Sequence, residues 1–442
     1  MSLIAGVATT CITPPVGFPM GGYGARDHGC EGVHDDLFGK ALYLSDGHGD
    51  VAIVTADVLG LRAPQVTRVR QRVTELIGLP GDRVFVSCSH THGGPLMYSD
   101  FAAISARHQA YLDTLCLHLA GAVAEARAAA EPARLGQART DVRLGANRRQ
   151  HMPDGTTAIG VDLEAPVAPW VDVVFLERQS DESPLALLFQ HAVHGTCLGG
   201  DNYQVTADTP GVAQALVERA LPGVTALFMN GCAGNINPYP RGTFGLCQRH
   251  GARLGAAAVK AAMEVDEPTA DVCVKCGQLS VDLPLAEALP ADECERAYAE
   301  IAPAYEALQG ETHRNWALSR RHADVLAQVE AARAGHVDTA LPVQVQVIAL
   351  NQLALVGLPG EIFVEIGQRI AAASPYATTL PVGYANGSIG YVPTLEEVPH
   401  GGYEVLQGRA RHQGRFIRDD ADRILVAGAT EALLQTAAST NA

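Results

Sequence analysis

Residues 51–88 read VAIVTADVLGLRAPQVTRVRQRVTELIGLPGDRVFVSC, and their patterning decides the fold class. Val51–Val58 is an apolar run of strand length, too short for a helix and rich in β-branched residues. Pro64–Ile77 then changes period: Val66, Val69, Val73 and Ile77 fall on one helical face, with Arg68 and Arg72 on the other. Arg83–Cys88 returns to strand. Strand, amphipathic helix and strand in succession predict an α/β domain. The alternation continues outward, with a first strand in the opening MSLIAGVATTCITPPVG, an Ala/Leu-rich helix over Gln109–Ala130, and strands at Val171–Leu176, Pro184–Ala192 and Val224–Met229. From about Pro284 to Asp338 the composition shifts to Ala, Glu and Arg at helical spacing. That segment predicts an inserted helical hairpin broken near Gly310, its charges forming a solvated face. A long strand over Val343–Val356 and a last helix near Asp419–Ala437 complete the chain. The expectation is one α/β domain over residues 1–442, with a mixed β-sheet core flanked by helices and no internal repeat.

Charge narrows the partners. Lys plus Arg total 32 against 48 for Asp plus Glu, a formal net charge of −16. A nucleic acid or an anionic membrane surface would be repelled, so a small molecule is the expected partner. Hydrophobic residues make up 47% of the chain, enough for a large core, yet no run approaches the ~20 consecutive apolar residues of a membrane span. The opening MSLIAGVATTCITPPVG has no basic stretch followed by an apolar core and a processing site, so it reads as a strand and not a signal peptide. Ten cysteines are scattered, mostly inside apolar stretches, which predicts a reduced, cytoplasmic protein. Cys273 and Cys276 have metal-site spacing but lack the second pair that would complete a four-thiolate site. Homo-oligomerisation is expected only from its frequency among soluble proteins.

Four loops carry candidate chemistry. SCSHTHGGP (87–95) follows a strand, and in an extended segment His90 and His92 would project to the same side, a metal-ligand arrangement. HAVHGT (191–196) ends another apolar run, where His194 lies nearer the loop and His191 reads as a buried structural residue. In VGLPGEI (356–362) Glu361 follows a Pro-Gly turn, and GYANGSIGYVPT (383–394) with GGYE (401–404) supplies tyrosines among small residues. Two imidazoles, a carboxylate and a phenol, each in a glycine-bearing loop after a strand, form an oxygen and nitrogen donor set without thiolate. Zinc is the ion this set predicts.

The combination SHTHGGP, HGT, NGCAGNINP, LPGE and GYANGSIGYVPT with a later Tyr resembles the zinc-dependent N-terminal catalytic domain of the neutral/alkaline, non-lysosomal ceramidases. The motifs keep that family's order across nearly the whole chain. The resemblance implies His90, His194, Glu361 and Tyr391 as zinc ligands, with His92 beside the metal as an acid/base or substrate-positioning group. It further implies Tyr403 as a catalytic tyrosine steadying an oxyanion, and Arg148 as an active-site arginine, a match that neighbouring Arg149 leaves open by one position, with Arg149 assigned to substrate binding. Where the family carries a serine, this chain has Asn237. An amide side chain cannot act as nucleophile, so Asn237 is assigned to substrate orientation. Only 442 − 403 = 39 residues follow Tyr403, too few for the family's C-terminal immunoglobulin-like domain, which is expected to be missing. The implied function is zinc-dependent hydrolysis of an amide bond in an N-acyl or peptide-like small molecule by metal-activated water. The same site acting on an ester, lactone or cyclic amide, or running as a cyclising or condensing enzyme, is the alternative reading. A non-hydrolytic metal-binding protein is the third.

Overall fold

The computed structural model describes residues 2–98, 104–308, 310 and 312–439. Eight strands form the larger sheet: β1 (Ile4–Cys11), β2 (Phe38–Ser45), β3 (Asp50–Ala56), β4 (Val84–Cys88), β5 (Glu131–Asp141), β6 (Trp170–Arg178), β7 (Pro184–His191) and β8 (Thr225–Asn230). Their spatial order is β8-β7-β6-β5-β1-β2-β3-β4. A second sheet joins β9 (Val274–Pro284), β10 (Ala340–Leu350), β11 (Leu353–Gly357) and β12 (Thr378–Val382) in chain order. The helices are α1 (Ala63–Ile77), α2 (Ala106–Ala128), α3 (Asp208–Ala220), α4 (Phe244–Met263), α5 (Ala291–Glu306), α6 (Trp316–Ala334), α7 (Val364–Ala372), the single turn α8 (Tyr403–Leu406) and α9 (Ala421–Ala438).

The period of two in each strand explains the layering, because both faces of the large sheet are covered and alternate residues go opposite ways. Along β3, Ala52, Val54 and Ala56 meet Val66, Val69 and Val73 of α1, and Leu115, Leu119 and Val123 of α2. Val51 and Ile53 point the other way, into the seam between the sheets, where Ile348, Leu355 and Leu380 close against them. At the far end, Val173, Phe189 and Phe228 pack under Val217 of α3 and Leu254 of α4. Ile366 and Ile370 of α7 and Leu425 and Leu433 of α9 cover the outer face of the second sheet. The result is helices, sheet, sheet, helices. A buried Leu or Ile in these seams contributes about 1.5–3 kcal/mol each.

The chain departs from the sequence reading at Val343–Val356, which is not one strand. It turns at Asn351, whose φ is +55°, and β10 and β11 pair antiparallel with Leu350 opposite Leu353. Asn tolerates the left-handed region, so the polar Asn351–Gln352 pair between two apolar runs makes a tight hairpin. The helical insert forms as α5 and α6, with Gly310 at φ +85° between them.

The sheets have mixed polarity, and the parallel pairs are β3 with β4, β7 with β8, and β11 with β12. In parallel pairs the carboxyl ends face the same way, and the loops leaving them gather at one place. His90 follows β4, His194 follows β7, Asn237 follows β8, Glu361 follows β11 and Tyr391 follows β12. The Asn230 amide at the end of β8 donates to Ser89 O at 3.1 Å, tying the two edges of the large sheet together. Ser87 bridges Ala385 and Gly231 bridges Val382, bringing the second sheet to the same point. Among the described residues no helix is long and apolar enough to cross a membrane.

Candidate active site

β4 ends at Cys88, and His90 has a φ of +62°, so the two histidines of HTH converge through a turn and not through the pleat of a strand. Backbone bonds hold that turn on both sides: His90 N donates to Val58 O at 3.1 Å, and His92 N donates to Gly195 O at 2.9 Å. Two glycines permit the approach. A Cβ at Gly195 would lie 2.5 Å from His90 O, and one at Gly22, where φ is +91°, would lie 2.6 Å from the His92 ring.

His90 Nδ1 donates to Leu59 O at 2.6 Å and His194 Nδ1 donates to Ala233 O at 2.6 Å. Each ring therefore carries its proton on Nδ1 and turns a bare Nε2 inward. His90 Nε2 is 3.3 Å and His194 Nε2 3.1 Å from the same atom, Glu361 Oε2. His92 Nε2 stands 3.2 Å from His90 Nε2, and the Tyr391 hydroxyl 3.4 Å from His194 Nε2. Two imidazole lone pairs and a carboxylate oxygen directed at one another are mutually repulsive unless a proton or a cation lies among them. The donor set fits a divalent metal with oxygen and nitrogen preference, and zinc suits it.

Electrostatics agree with that use. Burial lowers His194 to about 3, with the Arg148 charge adding, so the ring is neutral and able to ligate. Burial and the neighbouring His90 and His194 likewise hold His92 well below the usual histidine range. Burial alone would raise Glu361, but positive charge on the side of His90 and His194, a shared proton or a cation, outweighs it and holds the carboxylate well below its ordinary range. Burial raises Tyr403 to about 12, with the Glu361 charge adding, so its hydroxyl keeps its proton at neutral pH. Tyr391 is raised well above the ordinary value by burial, against the pull of Arg148.

Arg148 and Arg149 point to different places. Arg148 Nη1 lies 3.1 Å from His194 Nε2 and donates to Asn237 Oδ1 at 3.3 Å, placing this guanidinium at the cluster. Arg149 turns away: its Nε donates to Glu397 at 2.7 Å, Nη1 to Glu404 at 2.8 Å and Nη2 to Gly401 O at 2.7 Å. Arg149 is thus a clasp on the 397–404 loop, its side chain buried at 2% exposure and directed away from the histidine cluster. Asn237 Oδ1 also accepts from Thr196 Oγ1 at 3.1 Å, so its amide nitrogen is the group left to meet a ligand. The Tyr403 ring sits 5.7 Å from that of Tyr391. His191 is buried with Nδ1 2.7 Å from Trp170 O, a structural partner.

Three neighbours were not singled out from sequence. Tyr384 stacks on His90 with ring centroids 4.0 Å apart, and Tyr23 meets His92 edge-on at 5.0 Å. Trp316, at the start of α6, lies against Gly24 and 6.4 Å from Tyr403, so the insert contributes to the wall of the site. The signals available were Tyr384 inside GYANG and the position of Trp316, one of two tryptophans in the chain, at a helix start.

Fold and site define a member of a known hydrolase family. The chain belongs to the neutral/alkaline non-lysosomal ceramidase family, whose N-terminal domain model matches residues 4–262. Neutral ceramidase A of Dictyostelium discoideum is 26% identical over 242 residues, covering 50% of this chain and 34% of that protein. Neutral ceramidase of Mycobacterium tuberculosis is 23% identical over 458 residues, covering 87% of this chain and 70% of that protein. The chain thus spans about a third of the length of the first relative and more of the second. The crystal structure of neutral ceramidase from Pseudomonas aeruginosa superposes with a TM-score of 0.72 at 17% identity, covering 100% of this chain and 76% of that one. A ceramidase complexed with C2 gives 0.74 at 18% identity, covering 100% and 77%. These structural matches place the fold.

Proposed function

We propose that the protein is a zinc-dependent amidohydrolase that cleaves the amide bond of an N-acyl or peptide-like small molecule, with the whole chain acting as one catalytic unit. The observation that carries this reading is the approach of His90 Nε2 and His194 Nε2 to one oxygen of Glu361, at 3.3 and 3.1 Å. The family's named activity on ceramide, itself an N-acyl amide, supports the bond class. His90, His194, Glu361 and Tyr391 would hold zinc, which when bound supplies Lewis acidity toward an amide carbonyl and lowers the pKa of water.

The remaining work falls to this chain's own groups. His92, neutral at pH 7, accepts a proton at Nε2 and returns it to the departing amine nitrogen. The Tyr403 hydroxyl, still protonated, donates to the carbonyl oxygen as negative charge develops there, and the buried Arg148 cation lies close enough to favour that charge. Asn237 Nδ2 is placed to donate to the acyl group, orienting the substrate. An asparagine supplies no nucleophile, so the reading runs through water and not through a covalent acyl intermediate. The reading includes a reducing, cytoplasmic setting, from cysteines scattered through apolar stretches of the sequence.

Metal analysis tests the proposal. The purified protein should carry about one zinc per chain, and chelation should abolish hydrolysis of an acyl-p-nitroanilide while circular dichroism shows the fold retained. Full hydrolysis by metal-free protein would refute it.

A further inference from the structure

Glu404 follows the second tyrosine and lies wholly inside the protein, its side chain 2% exposed. Its two oxygens serve two different arginines. Oε1 accepts from Arg148 Nε at 2.7 Å and Oε2 accepts from Arg149 Nη1 at 2.8 Å. Both guanidinium groups are buried as deeply, at 5% and 2% exposure. A carboxylate gripped from both sides cannot rotate without breaking a charge-assisted bond, and neither arginine can be replaced there by a hydrated ion. Arg149 is itself fixed at Glu397 and at Gly401 O, so it acts as a post. The chain of contacts runs from that post through Glu404 to Arg148, and from Arg148 Nη1 to Asn237 and His194 Nε2. Arg148 Nη2 is buried without a well-formed hydrogen bond among the described residues, with the Tyr391 phenol beside this guanidinium, so it is a donor available at the cluster. The same clasp sets Tyr403. Residues 403–406 form one helical turn that starts from Gly402 at φ +82°, where a Cβ would lie 2.9 Å from Arg149 Nη1.

We infer that Glu404 is a positioning residue for the reaction: it holds Arg148 Nη2 toward a substrate oxygen and fixes Tyr403 beside it. Which oxygen is bound rests on the amide-hydrolase reading above; the placement of the donor does not. An ordinary structural ion pair would stabilise the fold alone. A positioning residue acts through Arg148, so its loss and the loss of Arg148 should not multiply.

The test is a double-mutant cycle of wild type, Glu404→Gln, Arg148→Gln and the double variant. It is read twice, on acetate affinity by calorimetry and on hydrolysis of octanoyl-p-nitroanilide. Glu404→Gln should weaken acetate binding about tenfold and lower kcat about tenfold or more, with KM and zinc content little changed. The double variant should be no worse than Arg148→Gln. Multiplying losses, or acetate affinity unchanged in Glu404→Gln, would overturn the inference. If Glu404→Gln does not fold, Glu404→Asp keeps the charge but shortens the reach, and the same losses are expected of it. Wild type that binds acetate but cleaves no amide counts against the hydrolase reading alone. Wild type that shows no acetate binding counts against the positioning role.

Discussion

Which nitrogen of an imidazole faces inward decides whether it can ligate, and at His90 and His194 a backbone carbonyl makes that choice. Leu59 O and Ala233 O each take the Nδ1 proton, leaving Nε2 bare. His90→Ala and His194→Ala should each remove most of the bound zinc, measured by elemental analysis; full occupancy in both would remove these residues from the metal site. Tyr403→Phe makes the opposite prediction: zinc retained, and turnover lowered roughly a hundredfold or more, the scale of a lost oxyanion donor. Unchanged turnover would return that tyrosine to packing. The ligand candidates were legible in sequence because each lies in a glycine-bearing loop just after an apolar run. The choice between Arg148 and Arg149 was not. Asn147 pairs with Asp162 but Arg149 with Ile159, so the register slips opposite Arg148, and no local pattern reports such a slip. Glu404 was visible only as an acid after a tyrosine, because its role depends on two arginines more than 250 residues away, at separations of 256 and 255.

At the level of elements, β3, α1 and β4 follow the sequence reading to within a few residues, since the periods of 2 and 3.6 are set by which side chains must be buried. Periodicity has a limit where two strands join through a two-residue turn: the apolar content of Val343–Val356 is continuous enough to hide the hairpin at Asn351. The insert shows a second limit, because helical spacing identifies a face but not what the face meets. The ion pairs of Arg296 with Asp292 and Arg333 with Glu295 do form the expected solvated face. The other side of α6 is docked: Asp324 pairs with Arg411, and Gln328 Nε2 donates to Gly414 O at 3.2 Å. This docking presents Trp316 to Gly24 and Tyr403. Trp316→Ala should then raise KM for an acyl-p-nitroanilide by about tenfold, the loss of one good apolar contact, while zinc content stays unchanged. An unchanged KM across short and long acyl chains would separate the insert from substrate recognition.

For the molecule as a whole, stability should depend on pH through a group remote from the proposed chemistry in role, though buried in the same core. Asp57 follows β3 and links the large sheet to α3: Phe38 N donates to its Oδ2 at 3.2 Å and Gln214 Nε2 to its Oδ1 at 3.3 Å. Burial raises its pKa from 3.8 to about 6, against the pull of Lys40. The folded protein therefore holds this proton more tightly than the unfolded chain. The resulting stabilisation is fully present below the unfolded value of 3.8 and is lost as pH rises through about 6. At 1.36 kcal/mol for each tenfold change in proton affinity, about 3 kcal/mol is at stake in all, of which about 2 kcal/mol disappears between pH ~4.5 and ~7.5. Other acids titrate over the same interval in a chain of net charge −16, so wild type alone is an insufficient measure. Asp57→Asn keeps the size and one acceptor but cannot ionise. Urea denaturation of both proteins at the two pH values isolates the group, because any fixed cost of the substitution cancels in the difference. The stability of Asp57→Asn relative to wild type should improve by about 2 kcal/mol on going to the higher pH. Parallel pH profiles for the two proteins would show that the Asp57 carboxyl does not titrate in this range, and that the pH response of the fold is set elsewhere.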